Sequence, residues 1–334
     1  MGARHRRAAL YGQTMTPRHK ADYRTLLWLS LMMGGVALHF THPTLGPLLF
    51  PLSAYLAISA GVIAHNHNHC PLFSNRWLNG AFGNLLSIFY GYPIFAWVPT
   101  HNQNHHKFVN RPGDDTITWR YTNRNNWWVA VTYFFVSAYW QSRPIREYIR
   151  KAKQHNRRLY RSIVLQFVVW ATGHATMLGL ASWLWGFGRG VQVWVWSLGL
   201  PALVSLWTIM LFNYVQHVHA DPWSEYNHSR NFTGRVLNFV LFNNGYHTAH
   251  HARPAAHWST LPALHATIEP LIHPELKQTS FWGWILRSYL LSLVFPSLGT
   301  QQIGRAPHQP PPDGPARVGV VSVPRLQRGP AETA

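Results

Sequence analysis

Acidic residues are scarce in this chain. Of 334 residues only 10 are Asp or Glu, and charged residues make up 12% of the total, about half the average for soluble domains. A centre built mainly from carboxylates is therefore hard to supply, and the Glu-x-x-His spacing of soluble di-iron bundles occurs here only at Glu225–His228. There is one cysteine, Cys70, which excludes an internal disulfide, a Cys-built zinc site and a Cys-held iron–sulfur cluster. The metalloprotease pattern His-Glu-x-x-His and the Gly-rich dinucleotide fingerprint are both missing. No apolar core follows the basic start within twenty residues, so a cleaved signal peptide is not expected. No repeat with a period of 20–50 residues is visible.

What the chain does have is apolar surface, positive charge and histidine. Hydrophobic residues reach 47% and aromatics 14%, with 17 Trp and 14 Tyr, the residues that gather at membrane interfaces. The mean hydropathy of −0.11 averages long apolar runs with polar ends and a polar middle. Leu26–Phe40 and Leu45–Ala64 are uncharged and read as one helical hairpin; Ser162–Trp185 and Val191–Val215, joined by Gly186–Gly190, read as a second. Pro201 kinks the last arm, as membrane helices tolerate. Ala81–Val98, Trp127–Trp140 and Phe281–Leu298 are shorter or interrupted and read as interfacial or re-entrant helices.

The fold expected is thus an all-α integral membrane protein with about four transmembrane helices in two hairpins, interfacial helices and a histidine-rich cap. The expected division is a basic tail over 1–24, a membrane domain over 25–298 and a disordered Pro/Gly/Arg-rich tail over 299–334. The formal charge is +19, and twelve Lys and Arg fall within 99–161, while the outer turns hold almost none. The positive-inside rule puts both termini and the 65–161 region on the cytoplasmic side, with a bacterial inner membrane as the expected location. No zinc finger or RNP-type stretch supports nucleic-acid binding, so the charge points to lipid or to an acidic protein.

Histidine, at 22 residues, outnumbers Asp and Glu together by more than two to one, and it is the commonest metal ligand. The histidines fall in groups just beyond the apolar runs: His65-Asn-His67-Asn-His69, His101-Asn-Gln-Asn-His105-His106 and His247-Thr-Ala-His250-His251. Residues at i, i+3 and i+4 share a helix face, which pairs His65 with His69, His101 with His105, His247 with His250 and His251, and Asn213 with His217. Some ten candidate ligands exceed the four that one zinc takes, so two metals are expected.

These motifs, in this order and with this intervening hairpin, resemble the three histidine boxes of the membrane fatty acid desaturase superfamily over residues 25–275. The stretch from Asn213 to His251, with Asn243-Asn244-Gly245-Tyr246, is similar to bacterial members, some of them hydrocarbon oxygenases. The resemblance implies two irons, O₂ as co-substrate and a ligand set of His65, His69, His101, His105, His106, His217, His247, His250 and His251 with Asn213 in support. His67 and His219 are alternatives to their neighbours, and Asp221 and Glu225 are candidates to orient ligand imidazoles. It implies an acyl chain or other apolar substrate, with desaturation as the expected reaction and hydroxylation of a hydrocarbon, carotenoid or small metabolite as the alternative. No cytochrome b5-like His-Pro-Gly-Gly segment is present, so electrons would come from a separate ferredoxin or reductase. A bis-His haem carrier or a metal transporter remains a non-enzymatic alternative; the first needs histidines within spans, where only His174 lies, and the second polar groups at bilayer depth.

Overall fold

The computed structural model describes residues 15–312. These residues are helical apart from loops and one two-residue parallel pair, Asn231–Phe232 with Lys277–Gln278. Helix α1 (Tyr23–Thr41) and helix α2 (Gly46–His69) form the first hairpin. It is cross-linked by the Trp28 indole N–H donating to the Tyr55 hydroxyl and by His39 against Ser53, each at 2.8 Å. Helix α3 (Arg76–Tyr90) starts at Asn75, whose side chain accepts from the N–H groups of Trp77 and Leu78. It stops at Gly91, which is left-handed at φ +92°. A side chain at Gly91 would also collide with Ala202. The chain then bends by 98° into helix α4 (Ile94–Phe108). Helices α5 (Trp127–His155), α6 (Arg157–Trp185) and α7 (Phe187–His217) follow, with Asn126 and Asn156 capping the first two.

Three helices are long and apolar enough to cross a membrane: Pro43–His69, α6 and α7, or four if the bent α3–α4 pair counts as one span. The expected second hairpin is therefore α6–α7. The expected first arm, α1, is a helix but not one of the three, because Arg24, Ser30, Gly34, Gly35 and His39 dilute its apolar character. Over its most apolar stretch α2 is 56% buried and α6 only 6%, so α2 is the central helix and α6 presents its sides outward. Small residues bring α2 and α7 together: the Ser205 hydroxyl donates to the Ala57 carbonyl at 2.7 Å, and Gly61 has no room for a side chain against Ile209. The C-terminal ends of α2 and α7 consequently lie side by side.

The chain after α7 folds back over those ends. The buried Arg230 guanidinium donates to the Val215 and Val218 carbonyls, which α7 itself cannot satisfy. Residues 15–24, expected within a basic tail, include a turn at Lys20–Asp22. Asp22 is buried there, accepting from the Trp258 indole and contacting His257, both at 3.0 Å. Residues 299–312 were expected to be disordered, and the structure corrects this for their first half. The Ile303 N–H donates to the His219 carbonyl and the Trp223 indole N–H to the Ala306 carbonyl, at 2.9 and 3.0 Å. Composition did not anticipate backbone partners supplied by a distant loop. Residues 1–14 and 313–334 of the two expected tails lie outside the described residues.

Candidate metal centre

Nine histidines from four segments converge where α2, α4 and α7 meet the cap. The Nε2 atoms of His65, His101 and His250 are separated by 2.9, 3.1 and 3.5 Å, and His106 Nε2 lies 3.1 and 3.0 Å from those of His101 and His250. His69 completes this group. Beside it, Nε2–Nε2 distances of 3.1, 2.9 and 3.1 Å link His105 to His217, His217 to His247 and His247 to His251. The two groups abut, with the His106 and His251 rings 4.4 Å apart.

In box one, His65 and His69 stand one α-helical turn apart on α2 and belong to the same group. Box two divides. Val98–His105 is π-helical, and a turn closing at i+5 puts His101 with His106 in one group and sends His105 to the other. Box three also divides: His247 and His251 share the face toward His217, while His250 points to His65. Each box after the first therefore serves both groups. The short helix His247–Ala252 is aimed by the turn before it, where Phe242 and Asn243 are left-handed. Gly245 there passes so close to Phe232 and Asn238 that no side chain would fit.

The donor set fits metal rather than mutual hydrogen bonding. The His105 Nδ1–H donates to the Asp114 carboxylate at 2.8 Å, and the His217 Nδ1–H to the His228 carbonyl at 3.0 Å. In the neutral rings both Nε2 atoms therefore carry lone pairs, which face each other at 3.1 Å and repel unless a cation stands between them. His69 Nε2 is buried without a partner. A circle through the His65, His101 and His250 nitrogens has a radius of about 1.9 Å, close to the ~2.0–2.1 Å of a metal–imidazole bond. Burial, reinforced by the neighbouring imidazoles, pushes His247, His250 and His251 well below the usual histidine range, which keeps them neutral and able to ligate.

The alternatives at two positions are separated by geometry. His67 points away from the groups, accepting from the Leu72 N–H at 3.2 Å and packing on Phe82. His219 is left-handed, its ring held between the carbonyls of Asn123 and Thr300. Asn213 lies one turn before His217, its amide donating to the Tyr133 hydroxyl at 2.9 Å. The expected orienting acids are corrected. Asp221 accepts from the Trp223 N–H and Glu225 is exposed; no contact ties either to the nine histidines. That role falls to Asp114, with Thr116 Oγ1 also 3.0 Å from His105 Nδ1. Burial pushes the Asp114 carboxyl up, but the His105 ring and three donor groups bring it below its usual range, so it stays charged. The available signal was scarcity, since Asp114 and Asp115 are two of only ten acids and follow box two by eight residues. His174 has both ring nitrogens engaged, by the Ile88 carbonyl and the Trp194 indole, which removes the mid-span haem ligand considered from sequence.

A cavity of about 410 Å³ opens from the histidines. His65, His101 and His247 form part of its wall, Asn213 lines it too, and Val62, Trp97, Ile209 and Phe212 make it largely apolar. One face of α5, from Phe134 through Ala138 and Ile145 to Ile149, runs along it, with Gln141, Ser142 and the exposed Arg146 as polar members.

No curated protein and no solved structure matches the chain. The family model described as fatty acid desaturase matches residues 38–284, a stretch that contains all nine converging histidines and the walls of the cavity. The chain belongs to the fatty acid desaturase family.

Proposed function

We propose that the protein catalyses O₂-dependent oxidation of an unactivated C–H bond, by desaturation of an acyl chain or similar apolar substrate, at two irons held by the nine histidines. The observation that carries this reading is two adjoining sets of inward-facing Nε2 atoms that open on a largely apolar cavity. Imidazole suits iron among other metals, and the family supplies the choice. Held there, two irons would supply the O₂-derived oxidising power needed to take hydrogen from carbon. His65, His69, His101, His106 and His250 form one ligand set and His105, His217, His247 and His251 the other, with Asn213 supporting from the cavity wall. Asp114 fixes the His105 ring and its tautomer by accepting the Nδ1 proton, leaving Nε2 free to ligate.

The lining residues on α5, from Phe134 to Ile149, span about 22 Å at the helical rise per residue. That length suits an extended chain. Its largely apolar walls hold the substrate mainly by burial, so the position of the chain in the cavity selects the carbon that reacts. Electrons come from a separate carrier. His69 and His106, the two of the nine that are not fully buried, offer its nearest approach. The positive 99–161 region sets the cytoplasmic orientation of the centre.

Expression in a host of known lipid composition, followed by mass spectrometry of lipids and small metabolites, tests the reading. New alkenes are expected, and they disappear in His250→Ala although that protein still inserts in the membrane. Hydroxylated products without alkenes would reassign the reaction to hydroxylation. Alkenes at wild-type level from His250→Ala would refute the ligand assignment.

A further inference from the structure

A second cavity, of about 320 Å³, shares no lining residue with the first, and the metal centre has no use for it. Arg230 closes its inner end. That residue is 2% exposed, one terminal nitrogen is spent on the α7 carbonyls, its guanidinium carbon sits 4.7 Å over the Trp284 ring, and its Nε has no partner. Among the described residues no carboxylate lies within ion-pair distance of it. Burial lowers its ionisation only to about 10, so it is cationic at neutral pH. A buried guanidinium without an anion is costly, and the fold leaves an open space beside this one.

The rim explains what that space accepts. Arg287 and Glu275 stand there with side chains 40% and 62% exposed and 4.0 Å apart, so the single acid is at the solvent edge while the inner charge is positive. Ser297, Gly299 and Thr300 are among the other wall residues. The segment just before them is apolar and uncovered: Trp282, Leu286, Leu290, Leu293, Val294 and Phe295 are 47–73% exposed. An exposed Trp and aliphatic run beside a cationic pocket is the pattern of a helix lying in a membrane interface.

We infer that this cavity binds the phosphate of an anionic phospholipid, with Arg230 and Arg287 facing the phosphodiester and the 282–295 segment lying against the acyl chains. Neither the irons nor the oxidation enters the chemistry of this site, which stands or falls separately from the activity. Arg–phosphate contacts are among the stronger charge-assisted hydrogen bonds. The lipid would tie the 297–303 strap, and through Arg230 the end of α7, to the bilayer surface.

The test uses the full chain, purified in detergent and stripped of lipid. Its thermal unfolding is followed on titration with dioctanoyl phosphatidylglycerol, with dioctanoylglycerol, which lacks the phosphate, and with inorganic phosphate. A saturable rise in melting temperature is expected with phosphatidylglycerol and none with dioctanoylglycerol. Arg287→Gln, at the rim and able to fold, should weaken the lipid about tenfold. Equal effects of the two lipids, or equal binding by wild type and Arg287→Gln, would overturn the site. Full stabilisation by inorganic phosphate with no further gain from lipid would overturn the lipid assignment in favour of a soluble phosphate.

Discussion

Asp114→Asn removes one charge and no volume, and it probes how the second histidine group is held. The carboxylate is fully buried. Its Oδ2 accepts from the His105 Nδ1–H at 2.8 Å and from the Asn110 N–H at 2.7 Å, and its Oδ1 from the N–H and hydroxyl of Thr116, both at 2.7 Å. Four donors thus fill two oxygens. An asparagine has one carbonyl oxygen, and whichever way its amide turns, the NH₂ faces two donors. A hydrogen bond to a charged acceptor contributes about 1.5–3 kcal/mol. Loss of a partner behind a metal-bound histidine weakens metal by roughly 10–100-fold, or about 1.4–2.7 kcal/mol. The two routes agree, so iron should be lost from the group containing His105 while the other group retains its ion. Chelator competition on the purified protein, with iron counted per polypeptide, reads this directly, and unfolding of the metal-free proteins separates it from a general loss of fold. Asp221→Asn and Glu225→Gln serve as controls and should bind like wild type. An Asp114→Asn protein that keeps its full iron load with affinity within about twofold of wild type would refute the reasoning.

Two other outcomes follow from the placement of side chains. His67→Ala and His219→Ala should retain iron, because both rings hydrogen-bond to the backbone away from the groups, whereas His69→Ala and His217→Ala should lose it; metal analysis of the four proteins side by side decides between the neighbours. Ala138→Trp should fill the cavity along α5, raising KM about tenfold or shifting products to shorter chains at unchanged iron content; an unaltered KM and chain-length profile would remove this cavity as the substrate's path.

The sequence carried the architecture because membrane helices announce themselves. Ser162–Trp185 and Val191–Val215 needed only length and lack of charge to be read as a hairpin. The boxes were equally legible as clusters, since histidine is uncommon enough that groups of two or three at helical spacing stand out. The assignment of individual rings was less so. Treating His101–His106 as α-helical placed His105 on the face of His101, and the π-helical turn instead moved His105 to the opposite group. Asp114 escaped because the loop between it and box two has no periodicity from which a contact with His105 could be read. Thr300–Ala306 escaped because a Pro- and Gly-rich composition describes intrinsic preference and says nothing about carbonyls waiting on another loop.

By itself, the order of residues determined that this is a helical protein with membrane-spanning segments and a histidine-built centre, because hydropathy, charge scarcity and residue identity are local properties that no folding event alters. Which histidine faces which, that Asp114 rather than Asp221 stands behind the centre, and that a largely apolar cavity reaches the histidines were decided only when segments from 9 to 185 residues apart packed together. Metal-ligand geometry is a matter of a few tenths of an ångström between atoms on different helices, and helix crossing, bends and π-turns set those distances; sequence spacing along one helix cannot.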